Sequence, residues 1–437
     1  TLTIEPGVEV RFAALSDDQS SGYDYSRSEL YIEHGGGLVA EGTATDSIYF
    51  MSNADSPEHG DWYGISTGGY SYVNIRMSYV SYSNARYGFS RNSTYDGIYF
   101  MGDEGDTLSI TNSYFRRLDD RFFYCKLLIN SNGLVLIKNN KFADWGGAFF
   151  ARIYINNNGL LHLDSNQFLG IDHGEMASGS FYIEDDSSRL WITNNTTDAR
   201  CDFIFSSYYN ESVRDYEIIL EGNNFKGNGG DEIDFNGGGG NYGKFLFKDN
   251  VVDGAYVSFS YAKEALVQGN TIKNNTYDYI AALGVYSSTA VIENNTITGN
   301  RGNGLYLETS SGYEDVVTAD TIRNNIITGN NTSNQSYNAG VDVGGYGNHV
   351  IWYNDIYDNS EDYYDLYLNT PNLSGNLDAR FNYWGTTTTA QMDQGGNPKN
   401  IDRIYDYYDN SSYNTVSYSN WLSESGGDPP SNYTVLG

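Results

Sequence analysis

Apolar residues recur along this chain in short alternating runs, each closed by Asn or Gly. Between Leu266 and Gly329 the phrase comes three times, as LVQGNTIKNN, VIENNTITGN and TIRNNIITGN. Alternation with a period of two predicts strands with one buried face. The phrase can be followed through asparagines at Asn112, Asn140, Asn166, Asn195, Asn224, Asn250, Asn270, Asn295, Asn325, Asn354 and Asn382. Their spacing of roughly 20–30 residues belongs to solenoids.

One unit resolves into Ala290-Val291-Ile292, Thr296-Ile297-Thr298 and Gly304-Leu305-Tyr306-Leu307. Three strands and three turns in about 25 residues make one coil of a parallel β-helix. The LxxLxLxxN phrase of leucine-rich repeats is absent, and a propeller blade would need four strands in about 40 residues. The corner Asn tolerates the left-handed backbone of a tight turn. Stacked rungs then set Asn above Asn, and the amides form an internal hydrogen-bonded ladder. The expected ladder is Asn140, Asn166, Asn195, Asn224, Asn250, Asn270, Asn295, Asn325, Asn354 and Asn382. On the same logic Asn274 and Asn294, formally sequons, turn inward and stay unmodified.

The ends read differently. The chain opens at Thr1 within a strand, which reads as a mature form after leader removal, with an edge that another copy could complete. Near the other end, Ile401, Ile404, Tyr405 and Tyr408 fall at i, i+3, i+4 and i+7 and predict a capping helix over 397–409. VSYSNWL (416–422) returns as a strand. The expected organisation is a solenoid over 1-385, with irregular Tyr-rich rungs over 1-107 and regular Asn-ladder rungs over 108-385. A cap and tail follow over 386-437.

These stretches resemble right-handed parallel β-helix proteins of the pectate-lyase-like superfamily, especially Asn-rich surface proteins such as methanogen sheath and surface-layer glycoproteins. The residues that carry the resemblance are LTIEPGVEVRF, GGGLVAEGT followed by IYFMSN and DWYGI, the serial NNxIxGN motifs, and FNYWGT followed by IYDYYDNSSYNTVSYSNWL. The resemblance spans nearly the whole chain and implies an all-β, right-handed parallel β-helix. It implies little about function, because that fold hosts lyases, hydrolases, epimerases, adhesins and inert scaffolds.

Composition narrows the classes. A net charge of −31 argues against nucleic acid and anionic membranes as partners. No apolar run approaches the ~20 residues of a membrane-spanning helix. Sequons at Asn92, Asn210, Asn331, Asn334, Asn372, Asn410 and Asn432 are glycosylation candidates, and with the acidity they point to an extracellular, cell-surface or envelope location.

Candidate chemistry is sparse. Acidic clusters lie at Asp119-Asp120, Asp185-Asp186, Asp231-Glu232-Asp234 and Glu361-Asp362-Asp365. In an extended strand Glu232 and Asp234 share a face and Asp231 takes the other. If the chain is an enzyme, these three residues are its catalytic candidates, because glycoside hydrolysis needs two carboxylates about 5–9.5 Å apart. In the superfamily's lyases such clusters hold Ca²⁺ beside an Arg or Lys base. Otherwise no cofactor or metal is expected: His34, His59, His162, His173 and His349 show no metal-ligand spacing and read as surface or turn residues.

Cys125 and Cys201 fall some three rungs apart, about 14 Å along the axis at ~4.8 Å per rung. Disulfide Cα atoms must lie within about 7 Å, so the pair suggests bridges between molecules instead. Tyr stripes, such as Tyr70, Tyr72, Tyr79, Tyr82 and Tyr87, or Tyr405, Tyr407 and Tyr408, suit a protein interface or sugar stacking. The function these features predict is a structural, non-enzymatic surface protein that assembles with itself into a layer, sheath or filament. The alternatives are a secreted lyase or epimerase on acidic glycans and a carbohydrate-binding adhesin.

Overall fold

The computed structural model describes the chain outside residues 69–70, 92–96, 102–106, 147–148, 170–175, 184–186, 199–200, 208–215, 238–243, 263, 311–319 and 428–437. The alternating runs form short strands that pair in parallel from rung to rung, winding a right-handed parallel β-helix. A representative rung has strands Ala290–Glu293, Thr296–Thr298 and Leu305–Thr309. They pair in register with Thr321–Arg323, Ile326–Thr328 and Ala339–Gly345 of the next rung. Each rung thus feeds a first, a second and a third ladder.

Two compact units make up the chain, Thr1–Lys226 and Gly227–Gly437. The core of the first is strongly aromatic. Phe115, Phe142 and Phe168 stack down one ladder at 5.2 and 5.1 Å, and Phe89, Phe123 and Phe150 down another at 5.4 and 5.2 Å. The second unit stacks aliphatic columns instead, such as the fully buried Ile272, Ile297, Ile327 and Ile356. Each such side chain contributes roughly 1.5–3 kcal/mol of burial.

The corners split the Asn pair into two jobs. The first residue takes the left-handed backbone, as at Asn139, Asn194, Asn294 and Asn324, with φ of 55°, 56°, 58° and 56°. The second turns inward. In the first unit Asn140, Asn166 and Asn195 each donate Nδ2 to the Oδ1 of the next ladder Asn at 3.1, 3.0 and 3.1 Å. In the second, Asn250, Asn270, Asn295, Asn325 and Asn354 do the same at 2.9–3.1 Å and end on Asn382.

Two expectations need correction. Asn224 is an exposed strand residue, and Asn223 receives the amide of Asn195. Gly222 takes the left-handed position there, so the inward Asn comes one residue earlier. Asn274 and Asn294 do not turn inward: each holds the left-handed corner, with φ of 58°, and is exposed.

The second unit also has another Asn stack, built from the Asn that closes each phrase. Asn300 donates to Asn330 and Asn330 to Asn359, both at 2.8 Å, and Asn359 ends on the Asp365 carboxylate at 3.2 Å.

The helix lies elsewhere than predicted. It runs over Gly385–Asp393 and buries Gly385, Thr388, Thr389 and Met392. Residues 397–409 instead form turns around the short strand Ile404–Tyr405, which extends the third ladder by pairing with Leu366 and Tyr367. Ladder pairing prevails there over a helical spacing of apolar residues.

Candidate functional site

In the second unit the outer face of the third ladder gathers carboxylates and tyrosines. Alternation along Leu305–Thr309 points Leu305 and Leu307 into the core and Tyr306 and Glu308 outward. Register sets Tyr306 opposite Gly284 on one side and Asp342 on the other, and Asp342 opposite Tyr367. Glu308 stands likewise between Tyr286 and Gly344. Glu232 and Asp234 reach the same face, accepting hydrogen bonds from the hydroxyls of Tyr256 and Ser258.

Two glycines let the phenol rings lie over the sheet. A Cβ on Gly284 would sit 2.6 Å from the Tyr286 ring, and one on Gly344 would sit 2.8 Å from the Tyr306 hydroxyl. Tyr306 donates that hydroxyl to Glu308 at 3.1 Å, and its ring centroid is 5.5 Å from that of Tyr286. Tyr367 continues the aromatic surface to Tyr405 at 4.6 Å.

Burial dominates the electrostatics. Asp342 is 3% exposed; Oδ2 accepts from Asn303 Nδ2 at 3.2 Å, while Oδ1 has no hydrogen-bond partner. Loss of solvent raises its pKa to about 8; the Asn303 hydrogen bond opposes the rise and the Glu308 charge adds to it. Asp234 is also raised, by burial first and then by Glu232, against the hydrogen bond from Ser258. Burial, followed by Glu308, Asp234 and Asp342, lifts Tyr286 to about 12. Tyr306 is pushed up by burial and then by Glu308 and Asp342. After burial, the groups that shift Asp234, Tyr286, Tyr306, Asp342 and Tyr367 are the Ser258 hydroxyl, the Asn303 amide, carboxylates and phenols, with no Lys or Arg among them.

The other candidates scatter. Asp231 is buried on the opposite side of its strand from Glu232 and Asp234. Asp365 is buried beside Arg403 at 3.3 Å and closes the second Asn stack, a structural place. Asp362 accepts from Asn334 at 2.7 Å. Asp185-Asp186 and His173 lie outside the described residues. His349 is not a surface residue: it is 3% exposed, with Nδ1 2.8 Å from Asp320. Among the described residues no group of three or more His, Cys, Asp or Glu could hold a metal ion.

Cys125 is fully buried, so it is not placed to bridge molecules; the core-facing register of Phe123–Asn130 draws it inward. The side chain of Cys201 lies outside the described residues. Of the sequons, Asn92, Asn210 and Asn432 also lie outside them. Asn331 is 1% exposed and donates to Gln335 O and Asn338 O at 2.9 Å each, which removes it as an acceptor in the folded protein. Asn372 is exposed, and Asn334 and Asn410 are half-buried.

Asp342, Tyr286, Tyr306 and Glu308 were not among the catalytic candidates. Their signal is weak in sequence, because acidic and aromatic letters are common in this chain. Only the register between rungs brings them together.

Two further surfaces stand in the first unit. Lys126 and Arg152 face each other across neighbouring third-ladder strands, and Lys126 Nζ is 3.6 Å from the Tyr154 ring centroid. A cleft of about 600 Å³ is lined by Asp17, Tyr23, Glu29 and Tyr31, among others.

Fold and face together define a right-handed β-helix protein with an acidic, tyrosine-rich outer surface. Residues 197–360 match the family described as right handed beta helix region. A solved structure of a mannuronic acid specific polysaccharide family 6 lyase enzyme from human gut microbiota is similar at 14% identity. The match covers 79% of this chain and 82% of that one, with a TM-score of 0.35. No curated protein matches the chain.

Proposed function

We propose that this protein binds carbohydrate outside the cytoplasm, on the tyrosine and carboxylate face of its second unit. The observation that carries the reading is the glycine floor: Gly284 and Gly344 let Tyr286 and Tyr306 lie over the sheet beside Glu308. Phenol rings lying over a sheet offer stacking area to a sugar ring, and carboxylates at their edge accept from its hydroxyls. Lyase action on an acidic glycan calls for a cation beside the uronate, and the groups that shift Tyr286, Tyr306 and Asp342 are carboxylates, a phenol and the Asn303 amide. Binding without turnover is therefore the reading preferred.

The test is a glycan array followed by calorimetry on Tyr306→Ala and Glu308→Ala, with circular dichroism to check folding. Each substitution is expected to weaken the selected glycan by about tenfold or more. A folded protein that retains no glycan removes the reading.

Self-assembly at a surface is a second reading, favoured by one observation. Tyr279, 79% exposed, stacks on Tyr337, 41% exposed, at 5.7 Å. Such a pair is contact area of the kind enriched at interfaces. Electron microscopy of native material tests this; a chain that stays monomeric at high concentration rules it out.

A further inference from the structure

We propose that the sugar bound on this face carries a free amine: the second unit selects glucosamine-type oligosaccharides over neutral, N-acetylated or acidic ones. The inference rests on the carbohydrate-binding reading above and adds the chemical class of ligand.

Glu308 and Asp342 stand on neighbouring strands of one face with the phenols of Tyr286 and Tyr306, and no Lys or Arg is among the groups that shift Asp342, Tyr286 or Tyr306. A uronate would meet the Glu308 charge there, and a neutral sugar would leave Glu308 uncompensated. A protonated amine does neither. The phenol faces favour the same ligand, because a cation over an aromatic ring is attracted by the ring quadrupole. Tyr286 and Tyr306, with ring centroids 5.5 Å apart, flank Glu308 as two walls of such a seat. The chain's charge of −31 attracts polycations from a distance in addition.

A second observation concerns hydrogen bonding rather than charge. Asp342 is 3% exposed and its Oδ1 has no hydrogen-bond partner, although a buried carboxyl group is ordinarily satisfied. Register places it between Tyr306 and Tyr367, below the phenol layer. An ammonium seated at the edge of the Tyr306 ring would supply a donor to that oxygen once the carboxyl gives up its proton. A metal ion is the other cation to weigh, and among the described residues no three ligands converge for it. A sugar is favoured over a basic peptide because the rings lying over the glycine floor present stacking area beside the carboxylates.

Proton bookkeeping gives the inference its own signature. Tyr306, Glu308, Asn303, Tyr286 and Tyr367 surround Asp342, and burial leaves its carboxyl largely protonated at neutral pH. When an amine that is already protonated seats against it, the O–H bond breaks, the carboxylate pairs with the ammonium, and the proton passes to buffer; an amine that arrives neutral takes that proton itself.

The experiment is calorimetry on the full chain with glucosamine tetramer, N-acetylglucosamine tetramer, galacturonic acid tetramer and tetralysine. It is run at pH 7 in two buffers of different ionisation enthalpy. Glucosamine tetramer is expected to bind at least about tenfold tighter than the other sugars, with proton release, and to weaken as salt rises. Asp342→Asn is expected to abolish the proton release, and Glu308→Gln to lower affinity about tenfold while leaving the release in place. If Asp342→Asn does not fold, the buffer comparison on the unaltered chain still decides. Equal or tighter binding of the N-acetylated tetramer overturns the inference and leaves the carbohydrate reading standing. Tighter binding of tetralysine, displacing glucosamine tetramer, overturns it as a sugar site. Failure of every oligosaccharide to bind the folded chain overturns both.

Discussion

Tyr306 donates its hydroxyl to Glu308, two residues along the same strand, at 3.1 Å, and that hydroxyl lies 2.8 Å from where a Cβ on Gly344 would stand. Position, polarity and the missing side chain beneath form one arrangement. Gly344→Val is therefore expected to lift the Tyr306 ring and to weaken glycan binding about tenfold. The clash is with the far end of a side chain, so the melting temperature should change little. Paired calorimetry and thermal melts check this; a large loss of stability with intact binding would contradict it.

Asn294 and Asn295 separate the two corner roles. Asn295 donates to Val267 O at 2.8 Å and to Asn325 Oδ1 at 2.9 Å, and accepts from Asn270. Asn295→Ala leaves several buried groups without partners and should lower unfolding free energy by about 2–4 kcal/mol. Asn294→Gly keeps the left-handed corner and should change it by less than about 1 kcal/mol. Denaturant titrations of the two variants make the comparison.

This contrast also explains what was legible. The repeat, the three strands per rung and the inward Asn follow from local rules, because stacking copies one rung onto the next. Asn224 was placed one residue out because Gly222, a second left-handed residue type, shifts the frame. The helix at Gly385–Asp393 escaped notice because its buried stripe is Gly385, Thr388, Thr389 and Met392, too polar to read as an apolar face. The candidate site was half legible. Alternation pairs Glu232 with Asp234, but how many rungs part them from Glu308 and Asp342 depends on how many residues each intervening loop consumes; Ser258, which bonds Asp234, already stands three rungs from Asp342 by way of Gly284 and Tyr306. Neither composition nor spacing states that.

Cys125 gives a chemical test of burial. Its thiol is pushed well above the ordinary range by loss of solvent, with Arg91 opposing. In a Cys201→Ser variant, a thiol reagent at pH 8 is expected to leave Cys125 unlabelled until denaturant is added. Peptide mass measurement reads the outcome. Rapid labelling in the folded state would show that the residue is accessible and would reopen a bridge between molecules.

Stability should fall as pH rises from about 4 to about 8, through Asp342. An unfolded aspartate loses its proton near pH 3.9. The folded chain holds it to about 8, because burial disfavours the carboxylate. Between those values the native state binds more protons than the unfolded state, so each rise in pH favours unfolding. The contribution is complete below about pH 4 and gone above about 8, with a slope of at most about 1.4 kcal/mol per pH unit. Asp234 is raised by burial and acts with the same sign. Asp164, where hydrogen bonds from Lys138, Asn194, Thr193 and Ser165 outweigh burial, is lowered and acts with the opposite sign, over a more acidic range. The difference between the parent and Asp342→Asn isolates one group from the others. Denaturant titrations at pH 5, 6, 7 and 8 should show the parent losing stability relative to the variant at each step. Parallel curves would mean that Asp342 is already ionised in the folded protein and that a counter-charge holds it so.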